Sequence, residues 1–195
     1  MKRKRVGVLI SGRGSNMAAL VEAARDPGYP AEIVCVVSNR PDAAGLKFAQ
    51  GQNISTHVID HKNFATRQAF DAVLNDYLQS QKLDLIACAG FMRIMSSVLL
   101  EPWAGKMINI HPSLLPQYKG THTHERALAD GVKVHGCSVH YVTEELDGGP
   151  VIARAEVPVL PGDTPETLSA RVLVEEHKLY PKALAIVARQ THPTL

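Results

Sequence analysis

Apolar residues fall along this chain in short, nearly unbroken runs, and longer amphipathic stretches separate them. The first run, residues 5–10, precedes a glycine turn and a predicted helix over 15–24. A second run at 32–38 is rich in Val and Ile with little polar alternation, the pattern of a strand buried on both faces. A helix over 42–50 and a strand over 54–59 follow. Residues 66–79 are amphipathic, with Phe70, Val73, Leu74, Tyr77 and Leu78 recurring at helical spacing. Strands are predicted at 84–89 and 106–110.

Beyond residue 110 the rhythm changes. A loop over 111–123 leads to a short helix over 125–129, then strands at 134–142 and 150–157. Thr164-Pro165-Glu166 marks a helix start, with Thr as cap and Pro in the first turn. That helix runs toward Arg189, with a bend or interruption expected at Pro181. Strand and helix alternate with no repeat and no long linker. The expectation is one Rossmann-like α/β domain over residues 1–195, with a mainly parallel twisted sheet and helices on both faces.

Composition narrows the class of protein. At 195 residues the chain is long enough for one substantial core. With 45% hydrophobic and 21% charged residues it has the balance of an ordinary globular protein. A net charge of +2 is too small to imply a nucleic-acid partner, and Lys2, Arg3, Lys4 and Arg5 read as a solvated lead-in. The apolar run at 6–10 is too short for a signal peptide or a membrane span. Cys35, Cys88 and Cys137 lie in apolar runs without CxxC spacing, as expected of free thiols in a reducing compartment, the cytoplasm.

The chemistry concentrates around Met107-Ile108-Asn109-Ile110-His111-Pro112. On an extended backbone Asn109 and His111 point to one side while Ile108 and Ile110 point to the other. An amide and an imidazole then share the C-terminal end of a strand, where open α/β sheets bind ligands. Asp147 stands before Gly148-Gly149-Pro150. It is either a turn residue or a carboxylate that orients His111 and favours its charged form. His140 reads as a packed or hydrogen-bonded core histidine rather than a catalyst. His122 and His124 have the spacing of a metal pair, but no companion motif supports one and the expectation is no metal. Pro112, Pro116 and Gly120 punctuate the loop after His111, consistent with hinge-like closure.

The loop Ser11-Gly12-Arg13-Gly14-Ser15-Asn16 joins the first strand to the first helix, where free N–H groups and the helix dipole favour an anion. Three readings stay open: a phosphomonoester site, an NADP site using Arg40, and a plain turn. The third glycine of a dinucleotide fingerprint is absent, since Met17 holds its place.

The Gly14-Ser15-Asn16 loop, Ala89-Gly90-Phe91-Met92-Arg93-Ile94-Met95, Asn109-Ile110-His111-Pro112-Ser113-Leu114-Leu115-Pro116, Gly120-Thr121-His122-Thr123-His124 and residues 142–149 resemble, in order and spacing, the folate-dependent formyltransferases that act on glycinamide ribonucleotide (GAR). The resemblance covers essentially the whole chain; Arg13 and Met95 stand where related sequences vary. It implies transfer of the formyl group of 10-formyltetrahydrofolate, as co-substrate, to the primary amine of 5'-phosphoribosylglycinamide in de novo purine biosynthesis. The implied catalytic set is Asn109, His111 and Asp147. Gly14, Ser15 and Asn16 are implied to hold the phosphate, with Glu176 near the ribose. Arg67, Met92, Arg93, Ile94, Met95 and Asn109 are implied to line the folate pocket. Small molecules are then the partners, without nucleic acid or membrane, and a homodimer is compatible with the sequence. The alternatives are a related folate-dependent transferase or hydrolase and, from another class, an NADP-dependent oxidoreductase.

Overall fold

In the computed structural model, which describes residues 2–190, the apolar runs become seven strands. They are β1 (Lys4–Ile10), β2 (Ala31–Ser38), β3 (Ser55–Val58), β4 (Leu85–Cys88), β5 (Met107–His111), β6 (Val134–Tyr141) and β7 (Val151–Pro158). They form one sheet in the order β3-β2-β1-β4-β5-β6-β7. Neighbours from β3 through β5 pair in parallel. The last two strands add antiparallel. This is the mainly parallel α/β sheet expected from the sequence.

Helices cover both faces. They are α1 (Ser15–Ala23), α2 (Ala44–Gly51), α3 (Arg67–Ser80), α4 (Ser97–Leu100), α5 (Thr123–Ala129) and α6 (Pro165–Arg189). Met17 and Leu20 of α1, Leu46 of α2 and Val172 and Leu184 of α6 pack on one side with Ile108 and Ile110. Phe70, Leu74 and Leu78 of α3 pack on the other with Met107. The two-residue period of β5 therefore assigns Ile108 and Ile110 to the α6 side. Asn109 and His111 share the parity of Met107, as the alternation predicted.

Two elements differ from expectation. The last helix is not interrupted at Pro181 but runs unbroken from Pro165 to Arg189. An interior proline costs about 3 kcal/mol. Leu179, Tyr180 and Leu184 are buried beside it, and each such burial contributes roughly 1.5–3 kcal/mol. Packing on the sheet thus outweighs the lost bond, and the Pro181 carbonyl accepts a hydrogen bond from the Tyr29 hydroxyl at 2.7 Å. The second difference lies between 97 and 103, where short helical turns bury Leu99 and Trp103; the sequence pattern there did not announce them.

The sheet order places the site. From β1 the chain adds β2 and β3 on one side, then crosses to lay β4, β5 and the rest on the other. The reversal between β1 and β4 opens a crevice at the carboxyl ends of the strands. The loops after β1, β4 and β5 border it. Among the described residues no helix is long and apolar enough to cross a membrane. All three cysteines are buried and free.

Candidate active site

The end of β5 carries the chemistry. His140, on β6 opposite Asn109, is 2% exposed. Its Nδ1 meets the Tyr141 carbonyl at 2.9 Å, an acceptor, so that nitrogen bears the proton. Its Nε2 then accepts from Asn109 Nδ2 at 3.2 Å. Burial lowers the pKa of His140 and keeps the ring neutral, with the nearby Asp147 charge opposing the shift. A neutral imidazole thus fixes which way the Asn109 amide faces. One amide hydrogen is spent on His140 and the other remains for the cavity.

His111 is 5% exposed and lies between two acceptors. Its Nε2 donates to the Tyr118 carbonyl at 2.9 Å. Its Nδ1 lies 3.4 Å from Asp147 Oδ2. The Tyr118 carbonyl fixes a proton on Nε2, and the carboxylate stands beside Nδ1. Asp147 is itself anchored, since Oδ2 accepts from the Gly120 N–H at 2.8 Å. Its backbone adopts φ 50°, and the two following glycines allow the chain to turn back tightly. A Cβ on Gly149 would sit 1.9 Å from the Tyr141 carbonyl oxygen, so only glycine fits. Asp147 is therefore a turn residue and a partner of His111 at once.

Sequence reasoning named Asn109, His111 and Asp147 and read His140 as a buried core histidine, which it is, but it missed three supports: the bond from Asn109 to His140, the Tyr118 carbonyl and the Gly120 N–H. The last two are main-chain groups, for which no residue type gives a signal. The left-handed φ of 54° at Tyr118 is likewise invisible in the sequence.

These groups open on a cavity of about 640 Å³. Met92, Arg93, Ile94 and Met95 also line it. Met92, Ile94 and Leu146 are 76%, 56% and 54% exposed, which makes an apolar rim open to solvent. The Arg93 guanidinium lies 5.0 Å from the centre of the Phe70 ring, and its Nε is buried without a hydrogen-bond partner. Arg67, the first residue of α3, is exposed and outside the residues that line the cavity.

Gly14, Ser15, Asn16 and Glu176 gather at a second locus, outside that lining. Gly14 caps α1 with φ 72° and no side-chain cap, which leaves first-turn N–H groups without helical partners. A Cβ on Gly14 would lie 3.1 Å from Gly45 Cα, because the loop is wedged against the start of α2. Asn16 Nδ2 donates to Glu176 Oε2 at 2.7 Å, joining residues 160 positions apart. Burial raises the pKa of Glu176, and the Asn16 bond opposes that rise. Met17, standing where a dinucleotide fingerprint has its third glycine, is fully buried in the core. Arg40, the NADP-phosphate candidate, is paired with Asp42 at 3.0 and 3.2 Å.

The loop after β5 is held firmly over its first half. Ser138 Oγ donates to the Ser113 carbonyl at 2.7 Å and accepts from the Leu115 N–H at 3.0 Å. Arg154 donates twice to the Leu115 carbonyl, at 3.0 and 2.7 Å. Thr121 and His122 are the exposed stretch before α5. The His-x-His pair is split: His122 turns to Glu125, and His124 Nδ1 meets His135 Nε2 at 3.2 Å.

Among known proteins, residues 4–184 match the family described as formyl transferase. The chain is 50% identical over 187 residues to the trifunctional purine biosynthetic protein adenosine-3 of Bos taurus, covering 96% of this chain and 18% of that protein. It therefore spans less than a fifth of that relative's length. It is 45% identical over 178 residues to the phosphoribosylglycinamide formyltransferase of Escherichia coli K12, covering 91% of this chain and 84% of that one. A crystal structure of phosphoribosylglycinamide formyltransferase from Brucella melitensis is similar with a TM-score of 0.93 and 51% identity, covering 98% of both chains.

Proposed function

The chain belongs to the formyl transferase family, and on that premise we propose that it moves the formyl group of 10-formyltetrahydrofolate to the primary amine of 5'-phosphoribosylglycinamide. The products are formyl-GAR and tetrahydrofolate, in de novo purine biosynthesis. Residues 1–195 act as one formyltransferase domain, working in the cytoplasm on small molecules. Carrying the proposal is the pairing at one cavity wall of an oriented amide, Asn109, with an imidazole and carboxylate 3.4 Å apart, His111 and Asp147. That set suits a reaction that builds negative charge on a carbonyl oxygen and moves a proton beside it.

The steps follow from those groups. The amine nitrogen attacks the formyl carbon and forms the new C–N bond, while the carbonyl electron pair moves onto oxygen. Asn109 donates its remaining amide hydrogen to that oxyanion. His111 keeps one N–H on Asp147 and turns the other, now on the Tyr118 carbonyl, to the same oxygen. A donor of this kind contributes about 2.7–4 kcal/mol of transition-state stabilisation. Asp147 relays the proton from the ammonium, through water, to the folate N10. The carbonyl re-forms, the C–N10 bond breaks, and its electron pair stays on the protonated nitrogen.

Gly14, Ser15 and Asn16 hold the phosphate and Glu176 meets the ribose. Met92, Arg93, Ile94 and Met95 flank the folate rings, with Arg67 and Arg93 supplying positive charge. The test is a spectrophotometric assay with both substrates and mass analysis of the product. Formyl-GAR and tetrahydrofolate in equal amounts are expected. Release of formate with no formyl-GAR would instead identify a hydrolase and overturn the proposal.

A further inference from the structure

The two loci of the site are joined by one serine. Ser11 is the first residue after β1 and is 6% exposed. Its backbone N–H donates to the Gly90 carbonyl at 3.2 Å. Its hydroxyl oxygen accepts the Met92 N–H at 2.8 Å and donates its own hydrogen to Asn39 Oδ1 at 2.5 Å. Asn39 is 3% exposed, and its Nδ2 lies 3.1 Å from His61 Nδ1. Both bonding directions of the hydroxyl are therefore committed, and Asn39 prevents it from rotating away. Ser11 leads directly into the Gly14-Ser15-Asn16 loop. Met92 opens the segment that forms one wall of the cavity.

Behind that front Phe91 is buried in the core, and the bond to Ser11 ties the Met92 main chain. Residues 90–96 have no regular secondary structure. At the far end Asp71, 1% exposed, accepts from the Ser96 N–H at 2.6 Å and from its hydroxyl at 2.7 Å. Besides the packing of Phe91 and the contact of Arg93 with Phe70, the wall has a polar tether at each end, and the two lead to different places. The rear one runs to α3; the front one runs to the loop that follows β1.

We propose that Ser11 is a positioning residue that couples the two subsites, so that an anion seated on the Gly14-Ser15-Asn16 loop orders the cavity wall at Met92 and strengthens folate binding. The inference rests on the assignment of those loci to GAR and folate. Immobilising the loop after β1 fixes Ser11, and Ser11 holds both the Gly90 carbonyl and the Met92 N–H. Because coupling between sites is reciprocal, folate strengthens GAR binding by the same factor.

Calorimetric titration of the intact protein with tetrahydrofolate, with and without saturating GAR, tests this without turnover. GAR is expected to tighten tetrahydrofolate binding by about fivefold or more in the unaltered protein, the lower end of typical coupling. In Ser11→Ala that ratio should fall to within about twofold of one, while Ser11→Thr, which keeps a hydroxyl, restores it. Ser96→Ala, which trims only the rear tether, should weaken tetrahydrofolate binding equally with and without GAR and leave the ratio intact. An unchanged ratio in Ser11→Ala, or both ligands binding the unaltered protein independently, overturns the coupling alone. No binding of either ligand to the unaltered protein overturns both the coupling and the proposed function. Amide hydrogen exchange supplies a readout without substitution. The Met92 amide should exchange more slowly once GAR is bound, and an unchanged rate refutes the coupling.

Discussion

Acidifying the protein from pH 7 to pH 4 is expected to weaken its fold through one buried histidine, His135. This side chain is 1% exposed. Its Nε2 lies 3.2 Å from His124 Nδ1. Burial, reinforced by the charge His124 would carry, lowers its pKa from 6.5 to about 4. At about 1.4 kcal/mol per pH unit, that fall corresponds to roughly 3 kcal/mol of stability. The sign follows from proton counting. Between 6.5 and about 4 the unfolded chain binds a proton that the folded protein refuses, so stability declines as the pH drops through that window. Neighbouring His124, whose pKa burial also lowers, adds in the same direction. The comparison is with His135→Gln, which keeps a polar side chain that does not titrate. Urea unfolding, followed through the single tryptophan, Trp103, would be measured at intervals from pH 7 to pH 4. His135→Gln should be less stable at pH 7, having lost the imidazole's contact with His124, and should lose distinctly less stability on acidification. Equal pH slopes for the two proteins would refute the reasoning.

Three further outcomes are expected. Gly149→Ala should destabilise the protein by about 3 kcal/mol or more, because its Cβ would lie 1.9 Å from the Tyr141 oxygen; a thermal midpoint equal to wild type would show that the turn yields. Asn109→Ala should lower kcat about 10²–10³-fold with little change in either KM, as for loss of an oxyanion donor; a rise in KM at constant kcat would assign Asn109 to ground-state binding instead. Asn16→Ala should raise the KM for GAR several-fold more than that for 10-formyltetrahydrofolate, and equal effects on both would reject the division into two loci.

Much of the scaffold was legible because its causes are local. The run at 5–10 read as a strand, and Val6, Val8, Leu9 and Ile10 are fully buried in it; the run at 32–38 read as a strand buried on both faces, which holds from Cys35 to Ser38 while residues 32–34 are half-buried. Thr164 and Pro165 marked the start of α6, and the Thr164 side chain caps that helix as expected. Pro181 does not interrupt α6, because the local rule that prolines break helices carries no information about the sheet beneath. Asp147 was legible both as a turn residue and as a carboxylate that could orient His111, and the fold makes it both, with Oδ2 3.4 Å from His111 Nδ1.

The sequence by itself determined the alternation of strands and helices and the shared face of Asn109 and His111. Those features follow from backbone periods of two and 3.6 residues acting on near neighbours. Only the tertiary structure decided where that face would look. The reversal between β1 and β4 opened the crevice, and the pairing of β6 with β5 brought His140 to the Asn109 amide. The Tyr118 carbonyl, the Gly120 N–H, the bond from Asn16 to Glu176 across 160 positions and that from Met92 to Ser11 across 81 arose in the same way. Three of these contacts use main-chain atoms that nearly every residue type carries. The others join residues brought together by strand order and loop packing, which no local period encodes.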